Sequence, residues 1–507
     1  MKHSSLSKRC SVMCVVNRPR ILVIGSGFSG SIVAAILRKH GHHITLIDKA
    51  SHPRFAIGES STPTASLILQ TLIKQYGLQE LRPLTRYGLW CEKLPEVGVG
   101  AKRGFSYFFH APGDRPKTTV GHQGELLVAA SHSQAMADTH WYRQDVDRFL
   151  LEYAVSLGVT SISNCEIECA SYDELERTWQ VKFNMVERDE IFDWIIDASG
   201  AGEVMCRLSN EDIVSRPDLL TNTSAVYGHF RNIQDYDNLL IDAGMDISDF
   251  PFSSDVAAQH HVFTSQWLWS LRFDNGVTSL GLVSDLNGDV DQVDWSTMLT
   301  TYPAIQAMLT ESELDSATPS LCSSDRLQRL SSRGCGPGWV ALPGTIGFID
   351  PLHSTGIAHA LSGVERLAEI FTQDEVCQLA VNQYTEAVYR EFRLIDQLIA
   401  GCYHLMPSKR HFEAYCMLYF TAAHNYETCR MEISANAGLP GIFLSDDFQM
   451  VELIEEGYHL AREISQSDRW EAPELFEQQI RELIGSFDQI GLCNPNARSM
   501  YRYTAIL

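Results

Sequence analysis

From Arg20 onward the apolar positions change rhythm twice within thirty residues. "RILVIGSGFSGSIVAAILRKHGHHITLIDKA" opens on a continuous apolar run and breaks at a glycine turn. It continues at helical spacing for about 12 residues and closes on a second apolar run ending at Asp48. The pattern predicts a βαβ unit. Farther on, Trp141 to Thr160 reads as an amphipathic helix with Val146, Phe149, Leu150 and Ala154 on one side, followed by strands in "WQVKFNM" and "DWIIDASG". Short alternating runs between Asn222 and Ser284, among them "HHVFTSQWLWSLRF" and "VTSLGLV", predict a β-rich layer. "WVALPGTIGFIDPLHSTGIAHALSGVERLAEIF" returns to strand, loop and helix, and from Asp374 the pattern is almost wholly helical.

These elements predict an α/β protein in which a Rossmann-like dinucleotide-binding domain, residues 20–205 and 325–373, is interrupted by a β-sheet substrate layer, 206–324. A helical C-terminal region, 374–507, follows, and residues 1–19 read as a disordered lead-in. The dinucleotide site is written into the first loop. Gly25, Gly27 and Gly30 form a complete GxGxxG, with Phe28 and Ser29 inside it, where strand gives way to helix. Such a loop lets the backbone approach a pyrophosphate, and the helix N-terminus offers free N–H groups to it. Asp48, with Lys49 beside it, ends the second strand where an acid can accept from a ribose hydroxyl.

Composition narrows the partner. A net charge of -23 over 507 residues disfavours nucleic acid and an anionic membrane surface, which adds weight to a small-molecule role. No apolar run reaches the length of a spanning helix, and "VMCVV" is too short for a signal-peptide core. Thirteen cysteines without a single CxxC predict neither a disulfide framework nor a metal site, and point to a reducing, cytoplasmic home.

Five segments in order then resemble the flavin-dependent halogenases, within the wider fold of FAD-dependent monooxygenases and reductases. They are "GSGFSG", "PRFAIGESSTP", "AKRGFSYFF", "WLWSLRFDNGVTSLGLV" and "GFIDPLHSTGI", spread from Arg20 to about Glu369. The resemblance implies an enzyme that takes reduced FAD, oxygen and halide (chloride or bromide). By way of a flavin hydroperoxide and hypohalous acid, it halogenates an electron-rich aromatic small molecule. One GxGxxG implies that a separate NAD(P)H-dependent flavin reductase supplies the reduced FAD; a homodimer is left open. A flavin monooxygenase, oxidase or reductase of the same fold is the alternative, and a non-catalytic FAD-binding protein docking through its helical region is a third.

The same resemblance assigns roles. Lys102 falls in the segment of the catalytic lysine, with Arg103 as its rival. His353 stands where the tryptophan-halogenating branch usually has glutamate, followed by Ser354. Thr355 and Gly356 form the halide site at a helix N-terminus, with Ile357 against the flavin. Trp267 and Trp269 match the WxWxIP signature that separates flavin from substrate, with Leu271 and Arg272 replacing Ile and Pro; the residues alone read equally as a half-buried aromatic strand. Arg54, Ile57, Gly58, Glu59 and Ser60 lie beneath the cofactor, Arg143 at its adenine end, and Asp197 and Gly200 at a strand end abutting it. Asp350 is the acid nearest the loop where Pro343-Gly344 replaces the usual Gly-Asp pair. Phe105, Tyr107, Phe108 and Phe109 are expected to frame a planar guest.

Overall fold

The computed structural model describes residues 18–185, 188–209, 218–287, 294–432, 438–467, 470–502 and 504–505. Most of the expected lead-in, residues 1–17, lies outside the described residues. Strand Arg20–Ile24 sits inside a six-stranded sheet, with His43–Asp48 on one side and Trp194–Asp197 on the other, both parallel to it. The chain leaves this strand in both lateral directions, and the crevice beyond its carboxyl end is where doubly wound sheets bind ligands. Gly25 occupies that point with φ of 102°, and a Cβ there would lie 2.4 Å from the carbonyl oxygen of Ala198. Helix Phe28–Lys39 returns across the sheet with Ile32, Val33, Ile36 and Leu37 buried.

Among the described residues, the second sheet has nine strands. Thr223–Arg231, Thr278–Asp285, Gln266–Arg272 and Ala258–Val262 form an antiparallel succession. It is widened by Gly104–Phe109, parallel to Ala258–Val262, and then by Glu125–Ala129. The layer is therefore not confined to 206–324: strands within 20–205 extend it, and Met500–Tyr501, from a region read as wholly helical, closes one edge. A two-residue run such as Met500–Tyr501 carries no strand signal of its own, because pairing to a distant neighbour decides its state.

Helix Gly356–Phe371 packs against Phe28–Lys39 and Pro63–Tyr76, joining the nucleotide side to helices Gln378–Leu405 and Lys409–Glu432. Buried charges pin this junction. Arg430 donates twice to Glu365, at 2.6 and 2.8 Å, and Glu391 accepts from Arg366. Burial alone would raise Glu391, but Arg366 and His359 draw it down to about 2. Among the described residues, no helix is long and apolar enough to cross a membrane.

Candidate active site

Beyond the end of strand Arg20–Ile24 opens a cavity of about 790 Å³, a size suited to a large organic cofactor. Gly25, Gly27, Phe28, Ser29, Asp48, Lys49, Arg54, Ile57, Gly58, Arg143, Gly200, Gly356 and Ile357 all line it. Helix Phe28–Lys39 begins at Gly27 with no side chain capping its first N–H groups, which leaves them for an anion. Arg143 is held by two bonds to Asp147, both 2.8 Å, and by the carbonyls of Ile57 and Gly58. Arg54 reaches Asp48 at 3.4 Å while its buried Nε has no partner. An uncapped helix end, two arginines and an orphaned guanidinium nitrogen around one cavity fit the phosphates and ring system of FAD.

Five residues expected at the cofactor do not line this cavity. Gly30 lies behind the loop, where a Cβ would come within 2.0 Å of the Gly25 oxygen, so it serves helix-to-strand packing. Asp197 accepts from the backbone N–H groups of Ser199 and Met205, capping the turn after its strand. Glu59 accepts from His229 Nε2 at 2.7 Å, and Ser60 bridges to His140 in the neighbouring strand. Asp350 accepts from Thr223 Oγ1 and Tyr403 Oη and is pushed by burial up to about 7. Asp197, Glu59 and Asp350 are turned inward by hydrogen bonds that residue spacing does not show. Asp48 lines the cavity, but its carboxylate already accepts from Ser26 and Ala50. Those bonds hold it below the ordinary range against burial, which pushes it up.

The second compartment centres on Lys102, 1% exposed. Its Nζ donates to the Ser61 carbonyl at 2.7 Å and lies 4.1 Å from the centre of the Phe105 ring. Desolvation pulls the ammonium well below the ordinary lysine range, and Asp138, its cross-strand neighbour, pushes partly back. Asp138 is itself raised by burial, against a hydrogen bond from Ser66 and the charge of Lys102. Sequence reading missed this acid, which is brought to the lysine by strand pairing and carries no local signal. It also missed Glu427, which accepts from Thr64 Oγ1 at 2.7 Å and is pushed by burial up to about 8. Arg103 is not a rival, since it donates to the Ser131 carbonyl and packs over Phe252.

A row of rings leads from the lysine to the DPLHSTGI loop. Phe105 meets Tyr419 edge-on at 6.2 Å, and Tyr419 stacks on His353 at 4.3 Å and 5°. Burial keeps His353 neutral, drawn down to about 3. It therefore shares the lysine's compartment without being its ionic partner, and its Nε2 faces Cys402 Sγ at 3.5 Å instead. Ser354 takes a left-handed φ of 54°, and Thr355 opens helix Gly356–Phe371 without a side-chain cap, so the N–H groups there remain available to an anion. Phe108 departs from the expected aromatic frame: the strand alternates, sending Phe105 and Tyr107 toward this compartment and Phe108 into a separate core.

Trp267 and Trp269 share one face of strand Gln266–Arg272 and are both buried. Trp267 donates to Tyr403 Oη at 2.8 Å, and Tyr403 donates to Asp350, tying the pair to the loop 350–356. Neither lines the large cavity. Arg272, where the signature has proline, reaches Asp235 and Asp255 and two backbone carbonyls, so a loop-fixing cation replaces a turn residue.

Comparison with known proteins identifies the family and the fold. The tryptophan halogenase family matches residues 128–417, and an NAD(P)-binding Rossmann-like domain matches 23–71. Tetracycline 7-halogenase of Kitasatospora aureofaciens is 27% identical over 364 residues, which span 69% of this chain and 62% of that protein. Monodechloroaminopyrrolnitrin halogenase PrnC of Pseudomonas fluorescens is 26% identical, with 79% and 70% of the two chains aligned. Halogenase PltM, solved in complex with phloroglucinol and FAD, shares the fold at a TM-score of 0.83 and 21% identity, covering 95% of this chain and 99% of that one. With over half of its length matched to the model, the chain belongs to the tryptophan halogenase family.

Proposed function

We propose that this chain is an FAD-dependent halogenase acting on an electron-rich aromatic small molecule, with reduced FAD delivered by a separate NAD(P)H-dependent flavin reductase. The observation that carries the reading is Lys102, a lysine sealed from water beside a carboxylate and an aromatic ring. Burying an ammonium is costly and rarely serves stability alone. Bound FAD would supply the oxidation of chloride or bromide by oxygen. Arg54, Arg143 and the N–H groups after Gly27 would hold the cofactor, and those after Ser354 would hold the halide. Lys102 Nζ would donate to the oxygen of hypohalous acid, or carry the halogen as an amine, while Phe105 and Tyr419 exclude bulk water. The names of two relatives, with tetracycline and monodechloroaminopyrrolnitrin, and the phloroglucinol held by PltM support an arene as substrate.

The test is incubation of the purified chain with reduced FAD, oxygen and bromide against indoles, phenols and pyrroles, read by product mass. A brominated arene is expected. Products carrying oxygen and no halogen would move the chain to the flavin monooxygenases.

A further inference from the structure

Behind the DPLHSTGI loop lies a side-chain cluster that the proposed chemistry does not use. His353 Nε2 is 3.5 Å from Cys402 Sγ, and Cys402 Sγ is 3.8 Å from Cys416 Sγ. The three donor atoms all lie within 4.8 Å of one another, and all three residues are buried. A tetrahedral zinc ion, with Zn–S near about 2.3 Å and Zn–N about 2.0 Å, sets its sulfurs about 3.8 Å apart and sulfur and nitrogen about 3.5 Å apart. Both hydrogen-bond distances match these edges. A second observation comes from strand Gly104–Phe109: the Tyr107 hydroxyl is fully buried with no hydrogen-bond partner.

We propose that His353, Cys402 and Cys416 form a binding site for a thiophilic d10 cation, zinc(II), with an oxygen as fourth donor, either water or the Tyr107 hydroxyl. Binding displaces the two thiol protons to solvent. Two thiolates then balance the divalent charge, and the imidazole binds as its neutral form, so the filled site is electrically neutral within an apolar core. The ion ties the loop that follows Asp350 to helices Gln378–Leu405 and Lys409–Glu432, one ring away from Phe105 and Lys102. His353 Nδ1 has no protein acceptor, so the hydrogen-bond partner that usually orients a zinc-binding imidazole is missing. Affinity about 10–100-fold below that of a fully supported site follows. The proposal does not depend on the halogenation reading.

The experiment measures zinc by mass spectrometry on the full chain, expressed with added zinc and purified without chelator, alongside Cys416→Ser. About one zinc per chain is expected in the wild type, falling at least tenfold in the variant while FAD binding persists. Wild-type chain produced in cobalt medium gives a second reading that needs no variant: a thiolate-to-cobalt charge-transfer band with tetrahedral d–d bands. FAD-binding wild type holding less than about a tenth of an equivalent of zinc, or cobalt-loaded chain without the thiolate band, overturns the site.

Discussion

Arg54 and Arg143 face a cavity of about 790 Å³, whereas Lys102, 1% exposed, lies over the ring of Phe105, which with Tyr419 and Glu427 lines a void of about 30 Å³. The first compartment is built from permanent charges and backbone N–H groups at its edge. Such groups bind a phosphate at any physiological pH. The second is built from a lysine and two carboxyl groups, Asp138 and Glu427, all pulled by burial toward their neutral forms. Holding a cofactor calls for fixed charge, and moving a proton calls for groups whose charge can change near neutral pH. A void of that size admits about one or two waters and no aromatic ring, so the arene proposed as substrate would not fit there without moving side chains.

The division predicts that the two compartments fail separately. Lys102→Ala is expected to lower halogenated product by about 10²–10⁴-fold while FAD affinity and oxygen consumption stay near wild type. Product mass and peroxide release, measured together, decide this. Unchanged product sinks the assignment of Lys102, and lost FAD binding breaks the separation. On the other side, Gly27→Val is expected to weaken FAD binding by about 100-fold without unfolding the chain. The nearest atoms to a Cβ at Gly27 are Arg143 Nη2 at 3.7 Å and Asp147 and Arg54 at 3.8 and 3.9 Å, so the chain has room for it, while it would stand where a GxGxxG loop lets a pyrophosphate approach. Flavin titration with circular dichroism as a control reads both halves. Full affinity in a folded variant places the cofactor elsewhere.

The same contrast explains what the sequence made legible. Gly25 and Gly27 are legible from the fixed spacing of one contiguous loop, whereas Arg54, Gly58 and Arg143 are reached through segments that resemble the family, and all five line the large cavity. Lys102 was readable only through its segment. Its partner Asp138 arrives by strand pairing, Glu427 by a hydrogen bond across 363 residues, and the thiols facing His353 from helices 49 and 63 positions away. Nothing local marks such residues, since buried polar groups take their meaning from partners that only the tertiary fold brings near. Asp197, Glu59 and Asp350 were misplaced for the same reason: each lies beside a cofactor motif in sequence and turns inward to a hydrogen bond in space.

Glu427 sharpens the comparison through stability. With its folded value raised to about 8 from the ordinary 4.5, it stays protonated in the native chain over a range where the unfolded chain ionises. The unfolded state binds fewer protons there, so this group makes stability fall as pH rises from about 4.5 to about 8. Glu427→Gln keeps the shape and an acceptor for Thr64 while removing the titration. Urea midpoints at pH 5 and pH 8 should converge in the variant relative to wild type. An undiminished difference between the two pH values in Glu427→Gln shows that the slope arises at other groups.

Asp138 gives the smallest and most discriminating effect, because the charge it adds to Lys102 acts on the lysine's protonation and leaves FAD untouched. Burial lowers the lysine's affinity for its proton, and the Asp138 carboxylate raises it again. Removing that carboxylate in Asp138→Asn leaves burial unopposed, so the ammonium gives up its proton at lower pH than in wild type. If the ammonium is the form that donates to hypohalous acid, halogenation is lost on the alkaline side as pH passes the lysine's folded value. That limb of the kcat/KM profile should then move to lower pH by about one unit. Ser66 still donates to the amide oxygen, which keeps the strand pairing and holds the loss at the optimum to within about tenfold. If the amine is the working form, activity instead rises through that value and the acidic limb moves down, extending turnover to lower pH. A profile that shifts on neither side, in a folded, FAD-binding Asp138→Asn, overturns the pairing of Lys102 with Asp138 as a functional unit.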